Sequence, residues 1–329
     1  MDIPAEMTAI AIEGGAGPAS ALRPARIATP RPEAGEILIR VEAAGVNRPD
    51  ILQRKGGYAP PPGAPDTLGL EVAGEVAAVG ERVARWTVGD KVCALLGGGG
   101  YAEYAVVDAR HALPVPPGFD FVQAAALPET VFTVYANVFE IGRLKAGQTL
   151  LLHGATSGIG VMAIQQAKAA GARVVTTSRG ADKAEAALAL GADRALDSTA
   201  EDFVAAIQAE GGADVVLDMV AGDLVQRNLD ALKPDGRLVV IAVQGGARAT
   251  IEVGRLMVRR LTLAGSTLRP RSADEKARLA RAVEETVWPW IAQGKVAPVI
   301  DRTFPLAEAA KAHAWLEAGR HVGKVVLVP

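Results

Sequence analysis

The chain has 329 residues, 50% hydrophobic, 22% charged and 4% aromatic, with a formal net charge of −2, the profile of a soluble globular protein with room for more than one core. It has no Lys/Arg block to serve nucleic acid or an anionic membrane surface. It also lacks an apolar run of about 18 residues, and its opening "MDIPAEMTAIAI" has no basic region followed by an apolar core, so the expected location is cytoplasmic. The single cysteine, Cys93, excludes an internal disulfide and any zinc site built from several cysteines.

Up to about residue 125, Gly and Pro split short apolar runs such as "GEILIRVEAAGV", "EVAGEVAAVG" and "GDKVCALLGGGGYAEYAVV". Such spacing predicts strands joined by tight turns, a β-rich unit such as a small barrel, with the run Gly97 to Gly100 as a loop. From "DFVQAAALPETVFTVYANVFEIG" onward strands alternate with helices. Strands are expected near Leu150 to His153, Arg173 to Thr177, Arg194 to Leu196, Asp214 to Met219, Gly236 to Ile241 and Leu261 to Gly265, with helices such as "GVMAIQQAKAAG" and "DKAEAALALG" between them. This alternation predicts an α/β doubly wound parallel sheet. Beyond Arg271, Leu279, Val283, Val287, Trp290 and Ile291 share one helical face. The tail "VGKVVLVP" is an apolar strand expected to return to the first unit, giving a substrate domain of 1–124 with 269–329 around a cofactor domain of 125–268.

In "LLLHGATSGIGVMAIQQAKAAGARVVTTS" an apolar strand meets Gly154, Gly158, Ile159 and Gly160, then an alanine-rich helix, then a second strand. Glycine permits a tight turn and close backbone approach, while a helix N-terminus offers unpaired N–H groups to a pyrophosphate. Ser157 is a candidate for cofactor contact and equally for the helix cap. About 20 residues after Gly158 an acidic side chain would accept the ribose hydroxyls of NAD. Ser178 stands there, followed by Arg179 and Lys183, so the slot suits the 2′-phosphate of NADPH. Solvated helix-start residues are the plainer reading of the two cations, and Asp182 keeps NADH as the lesser alternative. Val243, Gln244 and Gly245 follow the fifth strand and Thr267 to Arg271 the sixth, at the carboxyl edge that lines a cofactor crevice.

"GATSGIG" resembles the cofactor loop of short-chain dehydrogenases, which use a downstream Tyr-x-x-x-Lys. All four tyrosines, Tyr58, Tyr101, Tyr104 and Tyr135, precede the loop, so that chemistry has no acid. A β-rich first domain, a mid-chain glycine loop and a returning tail resemble instead the medium-chain dehydrogenase/reductase superfamily over nearly the whole chain. That resemblance implies a GroES-like N-terminal domain beside the Rossmann domain. Many members bind zinc through a Cys in "G-V-C", a His in "G-H-E" and a later Cys or Asp. In "AGVNRPD" Asn47 takes the cysteine place, and in "LGLEVAG" Leu70 takes the histidine place beside Glu71. The remaining donors do not make a zinc site, so no metal is expected. "GVNRPDILQRKGGYAPPPGAPDTLGLEVAGEV" is similar to the zinc-free quinone oxidoreductases, and more narrowly to the tumour-protein-induced NAD(P)H quinone oxidoreductase group. "LPETVFTVYANVF" looks like the hinge helix of that branch.

Hydride transfer without a metal relies on positioning and on hydrogen-bond donors aimed at the oxygen that gains charge, and so favours an electrophilic small-molecule acceptor, a quinone or an enone. Tyr58 is the first candidate donor, its alternative being a loop residue on Pro60 to Pro62. Asn47 is a candidate for the nicotinamide ribose or substrate, or a simple turn residue. Asp50 and Gln53, three residues apart on a short helix, are candidates for the same cleft, although solvated surface is the plainer reading of either alone. Glu71, in an apolar strand, calls for a structural hydrogen bond or ion pair. The resemblance places Thr130 near the nicotinamide, with a helix-interior role as the alternative, and implies a homodimer through the fifth and sixth Rossmann strands. The histidines at 111, 153, 313 and 321 have no ligand spacing, and Cys93 reads as a small buried hydrophobe. An NADPH-dependent quinone reductase is the leading reading; an enone or enoyl-thioester reductase and a non-catalytic nucleotide-binding protein are the alternatives.

Overall fold

The computed structural model describes residues 3–329; Met1 and Asp2, the start of the segment read for a leader, lie outside the described residues. The chain divides into two compact units. One runs up to Phe132 and includes Arg269–Ala292 and Pro298–Pro329, and the other comprises Thr133–Leu268 and Gln293–Ala297.

The first unit opens with an antiparallel pair, β1 (Glu6–Ile12) and β2 (Leu22–Ala28). Next come β3 (Glu36–Val46), helix α1 (Arg48–Arg54), β4 (Glu71–Val79), β5 (Lys91–Leu95), β6 (Tyr104–Asp108) and β7 (Ala112–Pro114). Helix α2 (Phe121–Ala125) and α3 (Pro128–Val134) lead out of it, and the boundary between the units falls inside α3. Tyr135–Ile141 continues α3 as a π-helix, with Gly142 N–H donating to Asn137 O at 2.8 Å. Periodicity cannot distinguish this widened turn from α-helix.

The second unit continues as β8 (Thr149–His153), α4 (Gly158–Ala169), β9 (Arg173–Ser178), α5 (Ala181–Ala189), β10 (Arg194–Asp197), α6 (Phe203–Ala209), β11 (Ala213–Asp218), α7 (Leu224–Ala231), β12 (Leu232–Val240), α8 (Val253–Val258) and β13 (Thr262–Gly265). Its six strands are parallel in the order β10-β9-β8-β11-β12-β13. The strand order reverses between β8 and β11, the topological switch point at which open α/β sheets bind ligands. Each of the six expected strands is present. β12 starts four residues earlier than expected because Leu232 pairs with Ala213 ahead of an irregularity that ends at the Val215–Arg237 pair.

The chain then returns to the first unit as α9 (Ala273–Ala292), β14 (Ile300–Pro305), α10 (Ala309–Glu317) and β15 (Lys324–Val328). Leu279, Val283, Val287 and Ile291 are the buried face of α9, while Trp290 is only half-buried. β15 pairs antiparallel with β3 and parallel with β14, so the tail joins the sheet β14-β15-β3-β4-β5-β7, to which β6 adds beside β3. The strand pairing follows from burial: Ile37, Ile39, Val72, Val76, Val92, Val325 and Leu327 form one cluster with Trp86 and Tyr101.

Gly74 makes the β3–β4 contact possible. It faces Val41 where the register slips before Ala43, and a Cβ there would lie 1.9 Å from Arg40 O. A glycine inside a strand commonly marks such a bulge. Gly74→Ala should therefore destabilise the protein by about 1–3 kcal/mol, as overpacking does, read as a lower denaturation midpoint. An unchanged midpoint would refute the close approach.

Candidate active site

The place where the sequence shows Asn47, Leu70 and Glu71 is organised around an ion pair. Lys324 Nζ, from β15, lies 2.6 Å from Glu71 Oε1, 2.5 Å from Asn47 Oδ1 and 3.3 Å from Val46 O. Asn47 Nδ2 donates to the same Glu71 Oε1 at 2.8 Å, and Glu71 Oε2 accepts Glu129 N–H at the start of α3 (2.8 Å). Glu71 is fully buried and Lys324 nearly so. The structural ion pair expected of Glu71 is thus present, with an ammonium held among the oxygens of Asn47, Glu71 and Val46. Leu70 is buried and offers no donor atom, and Cys93 lies in β5 opposite Ala73, its thiol pushed up by burial. These donors do not fit a zinc ion. Among the described residues no group of three or more His, Cys, Asp or Glu side chains could hold a metal.

Asp50 ties the start of α1 to two neighbouring segments. Its carboxylate accepts Asn47 N–H (2.8 Å), Gly69 N–H (3.2 Å) and Tyr101 O–H (3.2 Å). Gly69 has φ +104°, and a Cβ there would meet Gly100 Cα and Tyr101 N at 2.6 Å, so only glycine lets this turn reach both the carboxylate and the glycine-rich loop. Asp50 is fully buried; desolvation pushes its carboxyl up to about 6 against the hydrogen bonds that favour the charged form. Tyr101 Oη also lies 3.0 Å from His313 Nε2, and His313 Nδ1 lies 3.3 Å from Arg54 Nη1. A guanidinium only donates, so Nδ1 accepts, Nε2 carries the proton and donates to Tyr101, and Tyr101 donates to Asp50. Burial, with Arg54 adding to it, drives the His313 imidazolium down to about 3, leaving the ring neutral. Arg54 Nη2 ends the chain on Glu317 at 3.0 Å. Tyr101, His313, Arg54 and Lys324 were not singled out in the sequence, because each comes from a distant segment whose partner only the fold reveals.

The solvated-surface reading of Asp50 and Gln53 is overturned, since both are buried. Gln53 Nε2 donates to Asp66 O (2.8 Å), while its Oε1 is buried without a partner. Tyr58 is half-buried, with the Arg269 guanidinium 5.4 Å from its ring centroid. Burial raises the Tyr58 pKa, so the group is a phenol at neutral pH. The Thr130 hydroxyl lies 3.2 and 3.1 Å from Ala126 O and Leu127 O, in the turn just before α3, which engages its proton.

In the second unit, Gly154 adopts φ +74° after β8, and Ser157 caps α4, its Oγ accepting Gly160 N–H at 3.0 Å. Gly158, Ile159 and Gly160 form the first turn of that helix, and a Cβ on Gly160 would lie 2.4 Å from Gly154 O. Ser178 ends β9 with its Oγ buried and unpartnered; Arg179 is exposed and Lys183 half-buried. A close-approach loop, a helix N-terminus and an unsatisfied hydroxyl at the end of the next strand fit a dinucleotide. The fold adds Asp197, missed because it sits on β10: it pairs in register with Ser178, and its Oδ1 accepts Gly180 N–H (2.9 Å) and Thr199 O–H (2.7 Å). Val243, Gln244 and Gly245 are exposed beyond β12, where Gly245 N–H donates to Val220 O at 2.7 Å. Beneath them His153 is sandwiched by Thr177 Oγ1 and Asn228 Oδ1, both at 2.7 Å, and Asn228 Nδ2 donates to Asp218 (3.0 Å). Both ring nitrogens of His153 are thus engaged in hydrogen bonds.

The raised pKa of Asp50 gives a signed pH dependence. Its folded-state value, about 6, exceeds the ordinary 3.8, so its contribution is full below the unfolded value and lost as pH rises through 6. The stability of the wild type relative to Asp50→Asn should fall by about 3 kcal/mol between pH 3.5 and 7, read by urea denaturation. An increase over that range would contradict it.

Residues 33–117 match the alcohol dehydrogenase GroES-like domain, and residues 190–327 match the zinc-binding dehydrogenase family. A quinone oxidoreductase of Pseudomonas aeruginosa is 34% identical over 298 residues, covering 89% of this chain and 91% of that protein. One from Rattus norvegicus is 31% identical over 309 residues, covering 92% of each. The structure of Escherichia coli quinone oxidoreductase complexed with NADPH superposes with a TM-score of 0.88 at 29% identity, covering 98% of this chain and 100% of that one. With its GroES-like sheet and its reversed parallel sheet, the chain belongs to the quinone oxidoreductases of the medium-chain dehydrogenase/reductase superfamily.

Proposed function

We propose that the protein is a metal-independent reductase that uses NADPH to reduce a quinone, with residues 1–124 and 269–329 serving the acceptor and 125–268 the cofactor. The observation that carries this reading is the carboxyl edge of the parallel sheet, where the Ser157-capped glycine loop adjoins the switch point and Ser178 leaves a buried hydroxyl unsatisfied. The NADPH complex of the Escherichia coli relative supports it. The N–H groups of Gly158 and Ile159 at the start of α4 would hold the pyrophosphate, with Gly154, Ser157 and Gly160 shaping the loop around it. Ser178, Arg179 and Lys183 would hold the adenosine ribose and its 2′-phosphate, while Thr130, Val243, Gln244 and Gly245 would flank the rest of the dinucleotide. When bound, the reduced nicotinamide supplies a hydride.

On the acceptor side, Tyr58 donates a hydrogen bond from its phenol to the oxygen that gains charge. Asn47, pinned by Lys324 and Glu71, acts from a fixed amide with little freedom to turn. Gln53 keeps one acceptor oxygen unengaged, and Asp50 holds the turn that carries Asn47. The carboxylate of Asp197 near Ser178 opposes a second anion there, so NADH should retain measurable use.

Activity is tested with NADPH against 1,2-naphthoquinone, 1,4-quinones and enones. Quinone turnover is expected, and tight NADPH binding without turnover of any acceptor would overturn the proposal. Replacing Arg179 and Lys183 by Ala should raise KM for NADPH about tenfold or more, matching the loss of charge-assisted phosphate contacts, and raise KM for NADH less; equal changes would remove the case for NADPH. We also propose a homodimer formed along β13. This edge strand lies in the same unit as Met257 and Val258 of α8, exposed by 69% and 79%. Light scattering should give twice the chain mass at micromolar protein, and a monomeric mass would contradict the pairing.

A further inference from the structure

Arg269 is only 6% exposed; its Nε donates to Gly97 O (2.8 Å), yet Nη1 and Nη2 are both buried without a hydrogen-bond partner. The buried Arg54, by comparison, is closed by Glu317, His313 and Gly17 O. Among the described residues no carboxylate pairs with Arg269. A guanidinium taken out of water with two donor groups unengaged is unfavourable by itself, and such a group in a native structure calls for a catalytic role or a bound water or ion. Desolvation lowers the pKa of Arg269 against the opposing fields of Tyr58 and Asp50, and burial together with Arg269 lowers that of Lys276. The wall is shaped for approach: a Cβ on Gly98 would stand 3.4 Å from Arg269 Nη2 and 2.7 Å from Pro65 O. The Tyr58 ring faces the guanidinium at 5.4 Å, within cation–π range.

We propose that Arg269, with Tyr58 and the backbone at Gly97 and Gly98, forms the subsite for an anionic oxygen of the acceptor, the free Nη groups of Arg269 donating to it. The assignment deepens the quinone-reductase reading and rests on it for the identity of the acceptor. Addition of a hydride, which bound NADPH would supply on oxidation to NADP⁺, converts both carbonyl π bonds into the aromatic ring: the hydrogen comes to rest on one oxygen, and the other becomes the phenolate of a hydroquinone monoanion. Arg269 binds the phenolate, and a proton from Tyr58 or water then forms the hydroquinone. Arg269 is positioned to act on charge that develops during the reaction, where one preorganised donor is worth about 10²–10³ in rate.

The test uses benzoate, a planar ring bearing anionic oxygens, as a probe that needs no turnover. Calorimetry should show benzoate binding to the wild-type protein and at least tenfold weaker binding to Arg269→Gln. The same variant should lose about 10²-fold or more in kcat/KM for 1,4-quinones with an unchanged Kd for NADPH. Its Tm should stay the same or rise, because an unpaired buried charge has been removed. Arg269→Lys, which keeps a charge without the fork, should recover only part of the benzoate binding. Absence of benzoate binding to the wild type, or equal binding to Arg269→Gln, would overturn the subsite. A lowered Tm with retained quinone turnover would make Arg269 structural. If the wild type reduces no quinone but binds benzoate through Arg269, the subsite stands and the quinone reading falls.

Discussion

A buried ammonium–carboxylate contact between Lys324 and Glu71 organises the acceptor-side unit. The last strand, the fourth strand, the turn before α1 and the first turn of α3 meet at these two side chains. Burying two charges is unfavourable unless they are paired and their remaining hydrogen-bonding capacity is met. Here the conditions are satisfied: Glu71 accepts from Lys324, Asn47 and Glu129 N–H, and Lys324 donates to three oxygens. The arrangement also explains why Gly45 has no side chain, since a Cβ there would lie 2.0 Å from Glu71 Oε1. The C-terminal strand is therefore part of the site, because it brings the cation that fixes the Asn47 amide.

A second buried chain runs parallel to the first. Arg54 donates in two directions, through neutral His313 and Tyr101 to the Asp50 carboxylate and directly to Glu317 near the surface, and so ties α1 to α10. Networks of this kind hold a short helix more firmly than its own few turns can. The seven-residue α1, which carries Asp50 and Gln53, is held at both ends in this way. Such fixation suits a reaction in which positioning supplies much of the rate.

Much of the fold was legible in the sequence because its signals are local. Gly154, Ser157 and Gly160 announce a strand–loop–helix unit within seven residues, and "VGKVVLVP" is too apolar to lie anywhere but in a sheet. Leu279, Val283, Val287 and Ile291 similarly give the buried face of α9 away. Where reading was local but the outcome depended on distant partners, it went astray. Asp50 and Gln53 look like a solvated helix face until Gly69, Tyr101 and Asp66 cover them. Pro234 and Asp235 lie in a bulge of β12, between the pairings of Leu232 with Ala213 and of Arg237 with Val215, which no local signal announces. Glu71 announced that it needed a partner, since a carboxylate in an apolar strand does, but nothing near it named Lys324, 253 positions away. Arg269 was legible only as one residue of a loop, because a guanidinium with two unengaged Nη groups has no sequence signature.

The most direct test of this account is a double-mutant cycle on the central pair, using Lys324→Met, Glu71→Gln and the double variant in denaturant unfolding. Lys324→Met alone should lower stability by about 3–5 kcal/mol by stranding the Glu71 carboxylate, and the double variant should recover a large part of that loss. Additive losses in the double variant, or a Lys324→Met protein as stable as the wild type, would contradict the claim that this ion pair holds the acceptor side together.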